Sequence, residues 1–529
     1  MSLVKNTATI GIFTLMSRVL GFARDILMAH YVGAGFANDA FSVAWRLPNL
    51  FRALFAEGAF SAAFVPMFNR VVGTAENEGK EGLPAGIRFA EDVLSILLPF
   101  LIVFTAIIMI FPTPIVWLIS LGFKDSGGHA KLAFATELTR ITFPYLALIS
   151  LVSLMGGIMN SLNRFWVNAA APIMLNICMV GALLLFASNS TLVTAHNQAI
   201  AIAVSGAAQL AWLVFAARRA GVVLRLKRPT LDPQVKKLLQ MIWPAAIGQG
   251  AIQFNVFVIT QIASGLLPQG SVSYIYYADR LNQLPLALVG IGVGTAILPA
   301  ISRQIIGGDE RAAAYTQNRA IELALLLALP AAAGLMLAAL PLITATLQSG
   351  HFTAADAHAS AAVLTAFACG LPAYILIKVF TPGFYARTDT KTPVRIALVE
   401  MACNLALNLF FVFFTNLSYV GLAISGASCA WINAGLLYVV LHRRGHLTLD
   451  AQLRRRAIRL LFATIAMGAV LLVLEPHIMP HIAGGFVRRI AWLLALIVPA
   501  AAVYFAAAFV FGAFRLSELK ALLSRRRLT

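Results

Sequence analysis

The sequence predicts an all-α integral membrane protein with fourteen transmembrane helices. Three observations carry this reading. Of 529 residues, 60% are hydrophobic and only 12% are charged, with a mean hydropathy of +0.84; soluble domains carry about 25% charged residues. The apolar residues gather in fourteen segments of a length suited to a bilayer, which takes about 20 residues per helix. Finally, lysine and arginine alternate between basic and non-basic loops, as membrane topology requires. No soluble fold hides this much apolar surface, so an ordinary cytosolic enzyme, a disordered chain and a disulfide scaffold are excluded.

The segments run near 7–30, 37–65, 89–120, 132–158, 167–188, 195–217, 238–267, 272–300, 316–347, 357–385, 395–415, 419–441, 458–475 and 489–514. Arg18 and Arg24 interrupt the first, which argues against a cleaved signal peptide. The second carries Asp39, Arg46, Pro48, Asn49, Arg52 and Glu57. Segments three to seven are mostly apolar and are separated by Gly, Pro or charge, the punctuation of hairpin loops. The eighth carries the pair Asp279-Arg280, and the eleventh carries Asn404 and Asn408 one turn apart. The last two hold no charge mid-span, with Glu475, Arg488 and Arg489 only at their ends.

With the N-terminus inside, 29 of the 40 Lys and Arg residues fall in cytoplasmic regions. Four lie outside, at Lys124, Lys131, Arg488 and Arg489, and seven fall within segments. This positive-inside pattern places both termini in the cytoplasm. It also accounts for the net charge of +19 without nucleic acid. The four cysteines, Cys178, Cys369, Cys403 and Cys429, stand in apolar stretches with no metal spacing and read as buried small residues. No Walker A, GxSxG or HExxH motif is present, so the chain reads as no enzyme, with no cofactor and no metal.

A short internal repeat organises the chain. Ala44-Trp45-Arg46-Leu47 resembles Ala278-Asp279-Arg280-Leu281, and Phe64-Val65-Pro66 with Arg70 matches Ile297-Leu298-Pro299 with Arg303. Two six-helix lobes follow, 1–218 and 219–444. Residues 445–529 add two helices and a basic tail, in which Leu516–Arg527 has the pattern of a helix lying on the inner leaflet. Parallel repeats of this kind point to a transporter.

The in-segment charges are Arg18, Arg24, Arg46, Arg52, Arg140, Arg280 and Lys378. A charge at mid-bilayer costs about 2.5–3.5 kcal/mol on insertion scales, so these side chains must meet water, acids or a ligand. Arg18 and Asp25 are seven apart, as are Asp39 and Arg46, and Asn49 and Arg52 follow at steps of three. A hydrated basic cavity for an anionic group is one reading, because arginine forks bind phosphate oxygens in pairs. Structural Arg–Asp pairs that lock helices are the other. Glu137 lies three residues before Arg140, the spacing of a helical ion pair. Asn404 and Asn408, with Glu400 one turn earlier, read as a helix-packing polar ladder, with a cation site as the alternative.

The stretch Ser17-Arg18-Val19-Leu20-Gly21-Phe22-Ala23-Arg24-Asp25 is similar to the N-terminal signature of the MurJ (MviN) family. That family comprises the bacterial lipid II flippases of the multidrug/oligosaccharidyl-lipid/polysaccharide exporter superfamily. The same holds for Asp39-Ala40-Phe41, Arg46-Leu47-Pro48-Asn49-Leu50-Phe51-Arg52 and Phe55-Ala56-Glu57-Gly58-Ala59-Phe60, and for Asn160-Ser161-Leu162-Asn163-Arg164-Phe165. The resemblance covers essentially the whole chain.

It implies two six-helix lobes around a central cavity, with the two C-terminal helices forming a groove for a polyprenyl tail. It implies a protein of the bacterial inner membrane that moves lipid II, the lipid-linked peptidoglycan precursor, to the outer leaflet by alternating access. Substrate roles carry over to Arg18, Arg24, Arg52 and Arg280, with Arg46 and Asn49 beside them. Gating or orienting roles carry over to Asp25, Asp39, Glu57 and Asp279. Some relatives hold sodium in the second lobe through an acid, where this chain offers Asn404 and Asn408. Expected partners are lipid II, membrane lipids and proteins of cell-wall synthesis or division. The alternatives are a flippase for another polyprenyl-pyrophosphate glycan, a drug exporter of the same superfamily, and a scaffold for division proteins.

Overall fold

The computed structural model describes residues 3–52, 59–121, 123 and 128–513. Among these residues every regular element is helical. The chain divides into two compact units: Met1–Ser273 with Ser349–Phe352, and Tyr274–Gln348 with Thr353–Thr529.

The first unit is built from α1 (Leu3–Tyr31), α2 (Phe36–Phe51), α3 (Ala59–Asn77), α4 (Gly82–Ile110), α5 (Pro112–Ser120), α6 (Gly128–Thr142), α7 (Pro144–Ser161), α8 (Phe165–Phe186), α9 (Thr191–Arg219) and α10 (Pro233–Gly265). Proline sets several of these starts. Pro112, Pro144 and Pro233 occupy first helical positions, where a missing N–H costs nothing. That is why predicted segments three and four each break into two helices. The core of this unit gathers Phe64, Phe68, Phe89, Tyr145, Met155 and Met159. A second cluster joins Val43, Leu47, Val116, Phe123 and Phe143.

The boundary between the units falls inside α11 (Ser271–Pro285), after Ser273. Pro285 has no N–H to continue the ladder, and a π-helical turn, Leu286–Ile291, follows before α12 (Gly292–Ile306). The second unit continues with α13 (Glu310–Leu337), α14 (Ala339–Thr346), α15 (Ala354–Tyr385), α16 (Lys391–Phe414), α17 (Ser418–Arg443), α18 (Ala451–Ile478) and α19 (Phe486–Val510). Side chains cap three of these helices: Asp309 accepts from the Ala312 N–H, Asp450 from the Leu453 N–H, and Thr353 with Asp356 forms a reciprocal capping box. One core cluster packs α12, α13, α15 and α17, and another seats α18 and α19 against α13 and α14.

The order of elements recurs. A pair of short helices (α2, α3), a long helix with a short one after it (α4, α5), and three further long stretches are followed by the same series from α11 to α17. Pro66 of α3 and Pro299 of α12 occupy corresponding places.

Each of the fourteen predicted segments holds a helix or a broken helix. Among the described residues, ten helical stretches are long and apolar enough to cross a membrane. The first, second, seventh and eighth predicted segments fall outside those ten; the first, second and eighth carry the charges at Arg18, Arg24, Asp39, Arg46, Asp279 and Arg280. The chain is a multi-pass membrane protein. Leu185, Phe414 and Val510 leave their side chains exposed on outer faces, the surface that lipid tails cover in a bilayer.

Candidate functional site

On α1, Arg24 and Asp25 turn inward and are only 7% and 3% exposed. Arg24 wraps back on its neighbour: its Nε donates to Asp25 Oδ1 at 3.1 Å and its Nη2 at 2.8 Å. Adjacent residues point about 100° apart on a helix, so the spacing pairs Asp25 with Arg18 instead. The length of the arginine stem makes the neighbour pair. Arg18 itself is exposed. Asn176 of α8 completes the arrangement. Its Oδ1 accepts from Arg24 Nη1 at 3.3 Å, and its Nδ2 donates to the Ser17 carbonyl at 3.0 Å. Met179, one turn on, offers its sulfur to Arg24 at 3.7 Å.

On α2 the polar residues divide by depth. Asp39 is 2% exposed and accepts three hydrogen bonds from the start of α11. They come from the Gly270 N–H at 2.7 Å, the Ser273 N–H at 3.1 Å and the Ser273 hydroxyl at 2.6 Å. Asp39 is therefore an N-cap supplied by a different helix, and it satisfies donors that a helix start leaves open. Arg46 donates through Nε to the Thr260 hydroxyl of α10 at 3.0 Å. Arg52 grips Asn49 with two N–H groups, at 3.0 and 2.9 Å from the same Oδ1. That i, i+3 pair matches the sequence spacing. Asn49 and both arginines are half-buried. Glu57 lies outside the described residues, as does the tail Leu516–Arg527.

In the second unit, Asp279 and Arg280 sit half-buried on α11 and point apart, as neighbours on a helix do. Gln283 donates to Asp279 across one turn. The Arg280 guanidinium lies over the Tyr276 ring at 4.9 Å, a cation–π contact.

Of the remaining expectations, the Glu137–Arg140 pair fails and the polar ladder of α16 forms. The helical spacing of Glu137 and Arg140 does not produce an ion pair: Glu137 meets His196 of α9 at 3.4 Å, and Arg140 is exposed with no ion pair among the described residues. Lys378 is exposed on α15. Asn408 Nδ2 donates to Asn404 Oδ1 at 3.0 Å, and Asn404 Nδ2 donates to Ser425 Oγ of α17 at 3.1 Å, a ladder that ties α16 to α17. Glu400 accepts from Asn433 of α17.

Sequence reasoning missed two residues of the first unit. Asn176 carries no signal beyond being an amide in an apolar run. Lys131 reads as an external loop base, yet the structure starts α6 at Gly128 and buries Lys131 to 1% exposure. Its ammonium is 3.7 Å from Asp39 Oδ2.

This arrangement defines a polytopic membrane protein of transporter type: repeated helical series, with buried acids and buried or half-buried arginines on its charged helices. The model of the family described as "Lipid II flippase MurJ" matches residues 28–493. The chain belongs to that family. A protein of Rhizobium tropici named a probable lipid II flippase MurJ is 40% identical over 532 residues, spanning 100% of this chain and 98% of its own. The lipid II flippase MurJ of Burkholderia cenocepacia is 34% identical over 449 residues, covering 84% of this chain and 85% of its own. A solved structure titled "Lipid II flippase MurJ, inward closed conformation" shares the fold at a TM-score of 0.75 and 22% identity. It covers 95% of this chain and 98% of its own. An inward-facing transporter of the multidrug-resistance MATE family aligns at a TM-score of 0.65 and 14% identity, over 83% and 97% of the two chains.

Proposed function

We propose that this protein flips lipid II from the inner to the outer leaflet of the bacterial cytoplasmic membrane. Family membership over nearly the whole chain supports the substrate. The observation that carries the mechanism is the set of arginines held on charged helices: Arg24 fixed by Asp25 and Asn176, Arg52 by Asn49, Arg46 by Thr260, and Arg280 over Tyr276. A pyrophosphate needs several fixed forks of positive charge, and arginine keeps its charge when water is scarce.

In this reading fourteen helices cross the membrane with both termini inside. The division into lobes at 1–218 and 219–444, with 445–529 added, encloses a basic cavity. Arg18, Arg24, Arg46, Asn49, Arg52 and Arg280 take the head group from the cytoplasmic side. Asp25, Asp39, Glu57 and Asp279 orient these groups or hold the gates. The polyprenyl tail stays beside lipid, along α18 and α19, whose spans carry no central charge. Alternating access then delivers the head group outside, with membrane potential or an ion gradient supplying the bias and no bond made or broken.

The test uses bacteria depleted of their own flippase. Wild type, Arg52→Ala and Arg280→Ala are expressed at matched levels, and lipid II accessible from outside is assayed. The reading expects wild type to restore it and both variants to insert but fail. Failure of wild type would shift the substrate to another lipid-linked glycan, and full activity of both variants would make the arginines structural.

A further inference from the structure

The place of Lys131 is costly three times over. Lysine is almost never fully buried, and Lys131 is 1% exposed. It stands in the first turn of α6, the positive end of the helix dipole, where a cation is disfavoured. Its stem is long enough to carry the ammonium to solvent from a helix end, yet the ammonium turns inward. There it lies 3.7 Å from Asp39 Oδ2, with the Phe36 ring at 5.8 Å and the Phe123 ring at 5.2 Å. Phe123 reaches that position with a φ of +48°, a left-handed conformation that is strained for a bulky side chain. Packing alone would fill this place with leucine or methionine at lower cost.

Asp39 explains the arrangement. Its carboxylate is buried and spends both oxygens on the Gly270 and Ser273 amides and the Ser273 hydroxyl. A carboxylate withdrawn from water needs a counter-charge as well as hydrogen bonds. We propose that Lys131 is a positioning residue: its ammonium supplies the counter-charge that keeps Asp39 clasped on the first turn of α11, the helix that carries Asp279 and Arg280. The clasp fixes where α11 begins, and its release frees that helix end to move. The inference rests on the transport reading for the meaning of that movement, but the clasp itself is measurable without transport.

The experiment is hydrogen exchange by mass spectrometry on the full chain in lipid nanodiscs, following the amides of residues 269–275. Lys131→Met is expected to raise exchange at Gly270 and Ser273 about tenfold or more, the scale of a buried charged hydrogen bond. Amides of α13 and α15 stay unchanged. Lys131→Arg retains a cation and keeps most of the protection. Adding Asp39→Asn to Lys131→Met restores part of it, because no lone charge is then buried and the amide oxygen still accepts. Unchanged exchange in Lys131→Met overturns the proposal. If Lys131→Met does not fold, the double variant decides: the proposal requires it to fold and to protect this turn, and its failure overturns the proposal equally. Externally accessible lipid II is read in parallel. Exchange that shifts as expected while wild type delivers no lipid II refutes the transport reading and leaves the clasp standing. Exchange that does not move while Arg52→Ala abolishes delivery does the reverse.

Discussion

Asn176 holds Arg24 from across the interface of α1 and α8, its carbonyl oxygen 3.3 Å from the guanidinium and its amide 3.0 Å from the Ser17 backbone oxygen. One side chain thus sets the angle of an arginine and fastens the helix that carries it. Gly21 lies beside this contact, where a Cβ would stand at an ordinary 3.7 Å from the Asn176 amide. Asn176→Leu would leave a buried guanidinium without one acceptor and remove the second donor to the Ser17 carbonyl, which keeps its helical one. We expect a loss of about 1–3 kcal/mol for the acceptor that the guanidinium loses, read as a lower melting temperature in detergent. Lipid II delivery should fall with it. Asn176→Asp keeps the acceptor for Arg24 and should retain more activity than Asn176→Leu; equal loss in both would mean that the donor to Ser17 is the part that matters.

The turn after α1 and the segment Ser349–Phe352 meet through two glycines. Gly33, at φ +75°, has the His351 carbonyl oxygen 2.4 Å from where its Cβ would stand, and Gly350, at φ +56°, has the His30 carbonyl oxygen at 2.1 Å. The His351 N–H donates to the His30 oxygen at 2.9 Å. Backbone lies on both sides, so neither contact can yield by turning a side chain. Gly33→Ala and Gly350→Ala should each cost about 1–3 kcal/mol, the range of overpacking, plus the strain of the left-handed backbone. Gly334→Ala on α13, where a Cβ meets nothing within 4 Å, should be neutral or slightly stabilising. Thermal scans of the three purified variants check the order.

The helices and the arginines were legible because hydropathy and local charge are local properties. Arg52 and Asn49 are an example: a spacing of three on one helix predicts their pair, and the structure forms it. What escaped depends on partners distant in sequence. Nothing near Asp39 announces that its carboxylate caps a helix more than two hundred residues away, and Lys131 reads as a loop base because its counter-charge, Asp39, stands on a helix distant in sequence. The Glu137–Arg140 spacing failed for the converse reason: His196 on α9 offered Glu137 another partner.

Asp389, in the turn between α15 and α16, gives a pH prediction. The Thr392 hydroxyl donates to it at 2.6 Å, Arg444 at 2.6 Å and the Thr392 N–H at 3.0 Å. These bonds, the threonine hydroxyl foremost, hold its carboxyl well below the ordinary value. A depressed folded-state value adds stability that is fully present above the ordinary carboxylate range and is lost as pH falls through the folded value. Asp389→Asn should therefore lower the melting temperature at pH 7, and the gap to wild type should narrow as pH drops below about 4. The pair is partly exposed, with the Asp389 side chain at 23% and Arg444 at 44%, so screening keeps the effect near about 1 kcal/mol or less. A gap that stays constant down to the acid limit would assign the loss to the hydrogen bonds alone.

Lysine substitution separates a phosphate fork from a helix lock. Arg46 donates from Nε to the Thr260 hydroxyl, and a lysine ammonium can donate that bond from the same face. Arg52 presents two N–H groups to one oxygen of Asn49, which fixes the plane of its guanidinium. Lysine has no plane and no fork. Arg46→Lys should therefore keep most of the lipid II delivery, and Arg52→Lys should lose about tenfold, since a bidentate charged contact reduced to one bond forfeits on the order of 1–2 kcal/mol. The loss should appear in the concentration of lipid II needed for half-maximal binding and should shrink at low salt, where any positive charge attracts pyrophosphate more strongly. If both lysine variants deliver lipid II as wild type does, only the charge matters at these positions. If both fail with reduced thermal stability, the arginines serve as helix locks.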